Sequence, residues 1–312
     1  MNTKTKQKIL IFGCGTIGGI IATRLSKVFD IFAYNINSKL VKKINKDGIK
    51  IIDRNNNINR AKFCISNKIE KIKNIDFDLV ILTTKAYDTE MAAKTISKYL
   101  NFNKIISIQN GLNNAKIICK YMPYNSIYCG ITTMAAQMLA YGQIKLFFPG
   151  IIYVSPYKSS LKSAVDIRNL FRKGGFITNI AKDYKQIIWP KLIFNSVMNP
   201  FTLITKSEYG IIKKCKEAQT LIKEAMAEGV SVTKGLGIKL YFNPYEIVRN
   251  IQYGKMNNFQ YRGSMYYDII KRKRTELDFI TGEIINQANK LGIKVPTLKT
   301  IYQITKIIEK IS

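Results

Sequence analysis

The sequence contains no histidine and few acidic residues, and both shortages constrain its chemistry. Histidine is the side chain whose ordinary pKa lies nearest neutrality, so a proton transfer here must use lysine, tyrosine or a carboxylic acid. Asp and Glu number 20 against 50 Lys and Arg, which gives a formal net charge of +30 at pH 7. The scarcity of acids narrows the choice of proton carrier further.

Cysteines and long apolar runs are also rare. The five cysteines are odd in number and contain no C-x-x-C pair, which predicts reduced thiols, no disulfide framework and no metal site. No apolar stretch approaches the ~20 residues that span a bilayer. The apolar block before Cys14 has only four residues, fewer than the ~7–15 of a signal peptide. We therefore expect a cytoplasmic protein with no membrane partner.

The excess of positive charge raises the possibility of a nucleic-acid partner. However, the lysines are spread over the whole chain together with abundant Ile and Asn, a composition typical of an AT-rich genome. The densest basic cluster is confined to residues 271–274. A positive field attracts an anionic cofactor or substrate equally well. We expect no nucleic-acid partner.

A short apolar run near the N-terminus leads directly into a glycine-rich turn. Lys8–Phe12 predicts a buried strand, and Gly13, Gly15 and Gly18 follow it in G-x-G-x-x-G spacing. In this motif the first glycine forms the tight turn, the second lets the backbone approach a pyrophosphate, and the third lets the helix pack closely on the strand. A helix is predicted from Thr16 to about Lys27, so its N-terminus faces the phosphates. The stretch predicts a dinucleotide site.

The end of the second predicted strand, Asp30–Tyr34, lacks the acid that holds the ribose hydroxyls of NAD in Rossmann folds. Instead Asn35, Asn37, Ser38 and Lys39 follow, and all four can donate hydrogen bonds to a 2′-phosphate. The absence of this acid and the presence of these donors favour NADP(H).

Strands then alternate with helices, which predicts a doubly wound parallel sheet. Phe77–Thr83 and Lys104–Ile108 are two of its strands, and Lys85 and Asn110 lie just past their carboxyl ends, where such sheets bind ligands. Residues 54–60 are predicted as a polar turn. The remaining β-like stretches are Gly48–Asp53, Ala61–Ser66, Ser126–Ile131, Gly142–Ser155 and Phe176–Ile180.

From about Asp183 the periodicity becomes helical, so we predict two domains, residues 1–182 and residues 183–312. Gly292 ends the last long helix and Pro296 prevents its continuation. The predicted helices are Tyr184–Met198, Lys216–Leu236, Pro244–Tyr253, Met265–Leu291 and Leu298–Lys310.

One predicted helix carries polar residues at helical spacing. Lys191, Asn195 and Asn199 are separated by four residues each and form a single stripe. The stripe is either a solvent-exposed face or a ligand site, and the second is favoured because asparagine is a poor helix former. Further on, Ser264 predicts a helix N-cap, and residues 274–278 by themselves indicate a charged helix face.

Seven motifs now stand in a specific order along nearly the whole chain. Together they resemble the ketopantoate reductase (2-dehydropantoate 2-reductase) family. They are GCGTIGG at 13–19, TKAYDT at 84–89, QNGL at 109–112, GITT at 130–133, WPKLIFNSVMNPFT at 189–202, GSMYYDIIKRKRTELDFITG at 263–282 and GIKVP at 292–296.

The resemblance implies an N-terminal Rossmann-type domain, a C-terminal all-α domain, and the NADPH-dependent reduction of 2-dehydropantoate to D-pantoate on the route to pantothenate and coenzyme A. It implies that Lys191 is the catalytic acid and that Glu276 holds the substrate hydroxyl and supports the lysine. The implied substrate-binding residues are Asn110, Asn195, Asn199, Ser264 and Lys85. The implied cofactor-binding residues are Gly13, Cys14, Gly15, Thr16, Ile17, Gly18, Asn35, Lys85, Asn110 and Glu276.

The expected partner is therefore a small-molecule 2-oxo acid, bound by a monomer or a homodimer. Two alternatives remain open. The chain can be a reductase of another branched 2-oxo acid on the same scaffold, or a non-catalytic NADP(H)-binding protein.

Overall fold

The structure, a computed structural model, describes residues 6–253 and 260–312, without the side chains of residues 252 and 253. Residues 1–5, which belong to the N-terminal segment compared above with a signal peptide, lie outside the described residues. The chain forms two compact units. The first comprises Met1–Gln109 and Asn114–Tyr184, and the second comprises Asn110–Asn113 and Lys185–Ser312. The boundary between them thus also passes through the QNGL motif, between Gln109 and Asn110.

The first unit is built on an eight-stranded sheet, which confirms the predicted α/β class with a parallel-rich sheet. The strands of this sheet are β1 (Lys8–Phe12), β2 (Asp30–Tyr34), β5 (Cys64–Ser66), β6 (Asp76–Leu82), β7 (Asn101–Ser107), β8 (Ile127–Thr132), β11 (Ile152–Pro156) and β12 (Thr178–Ile180). Their order is β12-β11-β8-β7-β6-β1-β2-β5, and among these described strands only β8 and β11 pair antiparallel. Ile9, Leu10 and Ile11 of the first strand are fully buried, as expected for a central parallel strand.

Four further strands form a second sheet, which the sequence patterns did not predict. Its members are β3 (Ile49–Ile52), β4 (Ile58–Ala61), β9 (Ala135–Ala140) and β10 (Gln143–Phe148), in the order β4-β3-β10-β9. The prediction of a polar turn over residues 54–60 is wrong at its end, because Ile58–Ala61 pairs with β3. That strand is almost wholly exposed, so it lacks the alternating burial that identifies a strand.

Five α-helices lie in the described part of the first unit. They are α1 (Thr16–Leu25), α2 (Ser38–Asp47), α3 (Thr89–Tyr99), α4 (Asn114–Ile118) and α5 (Leu161–Lys173). The α2 helix was not predicted, although its signals are present. Asn37 caps it by accepting a hydrogen bond from the Leu40 amide, and Leu40, Val41 and Ile44 form its buried face.

The second unit is helical, as predicted. Its helices are α6 (Tyr184–Thr205), α7 (Lys216–Gly235), α8 (Pro244–Tyr253), α9 (Ser264–Ile270), α10 (Leu277–Lys290) and α11 (Pro296–Ile311). The prediction of one helix from Met265 to Leu291 is wrong. The chain leaves the helix after Ile270, Arg272 adopts a positive φ of 50°, and a new helix begins at Leu277. Strong helix formers in KRKR concealed this break.

Candidate active site

Two glycines of the N-terminal turn are required by packing. Gly13 has a φ of +100°, and a Cβ placed on it would lie 2.6 Å from the Thr84 amide nitrogen. A Cβ on Gly18 would lie 2.6 Å from Oγ1 of Thr83 and 2.8 Å from the Gly13 carbonyl oxygen. These separations are far below van der Waals contact. The turn is thus wedged against the chain that follows β6, and Thr83 Oγ1 fixes it by donating to the Gly13 carbonyl oxygen at 2.9 Å.

Gly15 is different, because none of the residues that the structure describes crowds it. A Cβ there would meet only the Gly13 carbonyl oxygen, at 3.9 Å. Gly15 is the N-cap of α1, and no side chain caps that helix end. The amides of Thr16, Ile17 and Gly18 follow, in the positions that an α-helix leaves without internal acceptors and that carry its positive dipole end. An open approach to Gly15 beside these donors fits the diphosphate of a dinucleotide.

Cys14 takes part in this turn through its backbone. Its side chain is fully buried, and burial raises the pKa of the thiol to about 12, so the sulfur is neutral. The amide nitrogens of Gly13 and Cys14 donate to the Tyr34 carbonyl oxygen at 2.9 and 3.1 Å. These bonds join the glycine turn to the end of β2, where Asn35 begins the next turn.

The turn between β2 and α2 contains no carboxylate. Asn35 Oδ1 accepts from the Asn37 amide at 2.9 Å, and Asn37 caps α2. Asn37 Nδ2 donates to the Tyr141 hydroxyl at 3.2 Å, so its role is structural. The first turn of α2 carries no acid, and Ser38 and Lys39 are exposed there.

The loop that carries Lys85 is held by a residue that the sequence analysis did not single out. Gln109 is buried, and its Nε2 lies 3.0–3.3 Å from four oxygens of the loop, those of Thr84 (O and Oγ1), Lys85 (O) and Thr89 (Oγ1). Ser107 Oγ donates to the other end of the Gln109 amide. Gln109 therefore fixes the position of Lys85 in the first unit, a role that its place just past a strand end could have suggested.

The predicted polar stripe lies on α6. Asn195 and Asn199 are 5% and 4% exposed, while Lys191 is half-buried. A solvent-exposed face is therefore the wrong interpretation for the two asparagines. Almost every residue of this helix from Ile187 to Leu203 is buried. Two amides within such a helix need partners in the protein or in a ligand.

Two prolines lie inside α6, and the protein satisfies both backbone carbonyls that they leave without a donor. The carbonyl oxygen of Gln186, four residues before Pro190, accepts from the Tyr241 amide at 2.9 Å. The carbonyl oxygen of Ser196, four residues before Pro200, accepts from Oγ1 of Thr281 at 3.1 Å. The helix therefore continues through both prolines, and Lys191 remains in register with the asparagines.

Lys191 is the residue with the most unusual electrostatic environment on this helix. Burial lowers the pKa of its ammonium group from 10.5 to about 8. Its Nζ lies 5.2 Å from the centre of the Phe194 ring, a contact that favours the charged form weakly. A lysine with a pKa near neutrality can exchange a proton with a substrate at physiological pH.

Three predicted residues of the second unit meet in one hydrogen-bonded chain. Asn195 Nδ2 donates to Asn110 Oδ1 at 3.0 Å, and Asn110 Nδ2 donates to Glu276 Oε2 at 3.2 Å. Glu276 is 4% exposed and stands at the N-cap position of α10, although its side chain does not cap that helix. Because α9 ends at Ile270 and α10 begins at Leu277, Glu276 lies between the two helices.

Asn199 is held by a second group of residues. Oη of Tyr209 donates to Asn199 Oδ1 over a long 3.4 Å, and burial raises the pKa of this phenol well above its usual value, so it stays a donor. A Cβ on Gly263 would lie 2.6 Å from the same oxygen. Gly263, not Ser264, is the N-cap of α9, which corrects the predicted cap. Ser264 begins that helix and is partly exposed.

Neither a metal centre nor a membrane span is found in the part of the chain that the structure describes. Residues 6–253 and 260–312 include no group of three or more His, Cys, Asp or Glu side chains placed to hold a metal ion. Within the same ranges no helix combines the length and apolarity needed to cross a bilayer.

The site thus combines an α/β unit that carries a glycine turn with a helical unit that carries a half-buried lysine, buried asparagines and a buried glutamate. Two family models match the chain. The model described as ketopantoate reductase PanE/ApbA matches residues 9–159, and its C-terminal counterpart matches residues 183–309. The chain belongs to the ketopantoate reductase family.

Relatives of similar length support this assignment. The 2-dehydropantoate 2-reductase of Pyrococcus horikoshii is 29% identical over 308 residues, which cover 98% of each chain. That of Halobacterium salinarum is 21% identical over 306 residues, 97% of this chain and 99% of the relative.

Solved structures share the fold at lower identity. A ketopantoate reductase from Ralstonia eutropha has a TM-score of 0.83 at 22% identity, covering 97% of this chain and 99% of that one. D-mandelate dehydrogenase, solved with NADH and anilino(oxo)acetate, has a TM-score of 0.87 at 22% identity with the same coverage.

Proposed function

We propose that this chain reduces 2-dehydropantoate to D-pantoate with NADPH, and that Lys191 is the general acid. The observation that carries the proposal is the half-buried Lys191, with its lowered pKa of about 8, one helical turn before Asn195. Asn195 in turn leads to Asn110 and Glu276 through two hydrogen bonds. The proposed substrate is the one in the names of the relatives, and the proposed mechanism is based on the residues of this chain.

The lysine matches the demand of a ketone reduction. When hydride reaches the ketone carbon, negative charge grows on its oxygen, and a nearby ammonium stabilises that charge before donating its proton. Lys191 is charged below pH 8 and can release its proton near neutrality. Because the chain has no histidine, no residue with an ordinary pKa near neutrality competes for this role.

The asparagines and the glutamate hold the substrate in this proposal. Neutral amides from Asn195 and Asn199 can orient the hydroxyl and carboxylate of a 2-oxo acid without adding charge. The Glu276 carboxylate accepts a hydrogen bond from the substrate hydroxyl. The hydrogen bond that Asn110 donates to this carboxylate fixes it in place. Ser264 begins α9 directly after Gly263, which packs against Asn199, and it presents a further hydroxyl.

The first unit holds the cofactor in this proposal. When bound, NADPH supplies the hydride. Gly15 and the amides of Thr16, Ile17 and Gly18 receive its diphosphate, and Lys85 lies in the loop fixed by Gln109. The absence of a carboxylate at Asn35 and in the first turn of α2 supports NADPH over NADH, since an acid there would repel a 2′-phosphate.

The test follows the absorbance of NADPH with purified protein and 2-dehydropantoate. We expect turnover by the wild type and a loss of roughly 10²–10⁴ in kcat for Lys191→Ala, the range for removal of a general acid. Glu276→Ala is expected to raise KM. Glu283→Ala is the matched control, because Glu283 lies on α10 and accepts a hydrogen bond from Gln287 of its own helix. Equal rates for the wild type and Lys191→Ala would refute the mechanism.

A substrate and cofactor panel separates the alternatives. Turnover of another branched 2-oxo acid, or of an aryl 2-oxo acid like the ligand of D-mandelate dehydrogenase, without turnover of 2-dehydropantoate would refute the substrate. Binding of NADPH without turnover of any 2-oxo acid would identify a non-catalytic protein. For the cofactor, Asn35→Asp is expected to shift preference from NADPH toward NADH, and a wild type that prefers NADH would contradict the proposal.

A further inference from the structure

Glu276 owes its position to a turn that is closed by its neighbour. Thr275 is 2% exposed, and its Oγ1 accepts a hydrogen bond from the Leu277 amide at 3.1 Å. Glu276 is therefore the middle residue of a threonine turn, with φ −95° and ψ 19°. These angles lie in the sparsely populated bridge region, which local interactions must maintain. The Thr275 hydroxyl thus sets the backbone from which the Glu276 side chain projects.

The hydroxyl of Thr275 is itself fixed by the last helix of the chain. A hydroxyl has one proton, and Thr275 donates it to Oε1 of Glu309 on α11. With the proton committed to Glu309, the oxygen lone pairs face the Leu277 amide. Glu309 is held in turn by Lys306, whose Nζ lies 2.9 Å from Oε2 of Glu309 and 2.9 Å from Oδ1 of Asp278.

We propose that Glu309, acting through the Thr275 hydroxyl, is a positioning residue that aims the Glu276 carboxylate at Asn110. A continuous series of bonds supports this: Glu309 to Thr275, Thr275 to the Leu277 amide that closes the turn, and Glu276 to Asn110. All of these residues lie in the second unit. The inference rests on the proposed role of Glu276 in binding substrate and extends it to α11, over thirty positions along the chain.

Removing the hydroxyl should release the turn without emptying the space that it occupies. Thr275→Val keeps the shape of the side chain but can neither donate to Glu309 nor accept from Leu277. Misplacing a binding group by about 1 Å can cost up to 10²-fold in rate, so we expect kcat/KM to fall roughly ten- to hundredfold, mostly through KM. Glu309→Leu should act in the same direction, and Thr275→Ser should restore wild-type values.

A matched control separates positioning from general loosening of the helix pair. Tyr302→Phe removes a hydrogen bond of 2.7 Å between α11 and Asp278 of α10 but removes none of the hydrogen bonds that Thr275 and Glu309 make with each other, with the Leu277 amide or with Lys306. It is expected to lower Tm with no change in KM. If Tyr302→Phe raised KM as much as Thr275→Val does, the loss would reflect general destabilisation and the inference would be wrong.

A second readout does not depend on turnover. The side-chain amide resonances of Asn110 in the free protein report its bond to Glu276. We expect them to move in Thr275→Val and Glu309→Leu and to stay in place in Tyr302→Phe. Unchanged Asn110 resonances in both of the first two variants would overturn the inference, whichever substrate the enzyme uses. A wild type that does not reduce 2-dehydropantoate would refute only the proposed function.

Discussion

Replacing Lys191 by methionine should lower kcat by roughly 10²–10⁴ and at the same time make the protein more stable at neutral pH. Burial lowers the pKa of Lys191 from 10.5 to about 8, a difference of about 2.5 units. At 1.36 kcal/mol per unit, the charged lysine costs the folded state about 3 kcal/mol. Because the side chain is only half-buried, this figure is an upper bound. Methionine fills a similar volume without a charge.

The stability difference between the wild type and Lys191→Met should depend on pH in one direction. Below pH 8 both the folded and unfolded states carry the proton, so the wild type bears the full cost of the buried charge. Between pH 8 and 10.5 the folded state loses the proton first, and the stability of the wild type rises with pH. The stability advantage of Lys191→Met should therefore be largest at pH 7 and should vanish by about pH 10.5.

Guanidinium unfolding of both proteins at pH 7 and at pH 10 measures this difference. Lys299→Met, at an exposed position on α11, is the control and should show no such pH dependence. In the activity assay, the wild-type kcat/KM should fall as pH rises through about 8, because the general acid is lost. A stability difference that is the same at pH 7 and pH 10, or an activity that persists undiminished well above pH 8, would refute the reasoning.

Two further predictions concern the glycine turn and α6. Gly15→Ala should lower Tm less than Gly13→Ala does, because its Cβ meets nothing closer than 3.9 Å, yet NADPH affinity in a fluorescence titration should fall. Gly13→Ala should instead lower the free energy of unfolding by at least ~1–2 kcal/mol, since it combines a φ of +100° with a clash against Thr84; equal stability of the two alanine variants would contradict this. Thr281→Val should cost about 1–3 kcal/mol by leaving the buried Ser196 carbonyl without a donor, and Thr281→Ser should restore stability. A Val variant as stable as the wild type would mean that the carbonyl finds another donor.

Structure was predicted most accurately from the sequence where the local backbone conformation or packing allows only one residue type. The glycine turn is an example, because Gly13 and Gly18 are required by a positive φ and by close approach to Thr83 and Thr84, and only glycine meets those demands. The helix carrying Lys191 and Asn195 was also predictable locally, since its polar residues recur at helical spacing over consecutive turns.

Prediction failed where the local residue pattern favours a different structure or carries no periodicity. The break before α10 followed a run of strong helix formers, and only Thr275 three residues before Asp278 resembled an N-terminal signal. The strand Ile58–Ala61 is exposed and has no alternation of apolar residues from which it could be predicted. It is a strand because its backbone pairs with β3.

The sequence alone therefore determined the family, the order of the two folds, and the residue types available for chemistry in a chain without histidine. Tertiary structure decided how those residues are held. Asn110 meets Asn195 and Glu276 across 85 and 166 positions, and Thr281 reaches the Ser196 carbonyl across 85. Such bonds depend on how the helices pack, and packing is a property of the whole chain that no local pattern encodes.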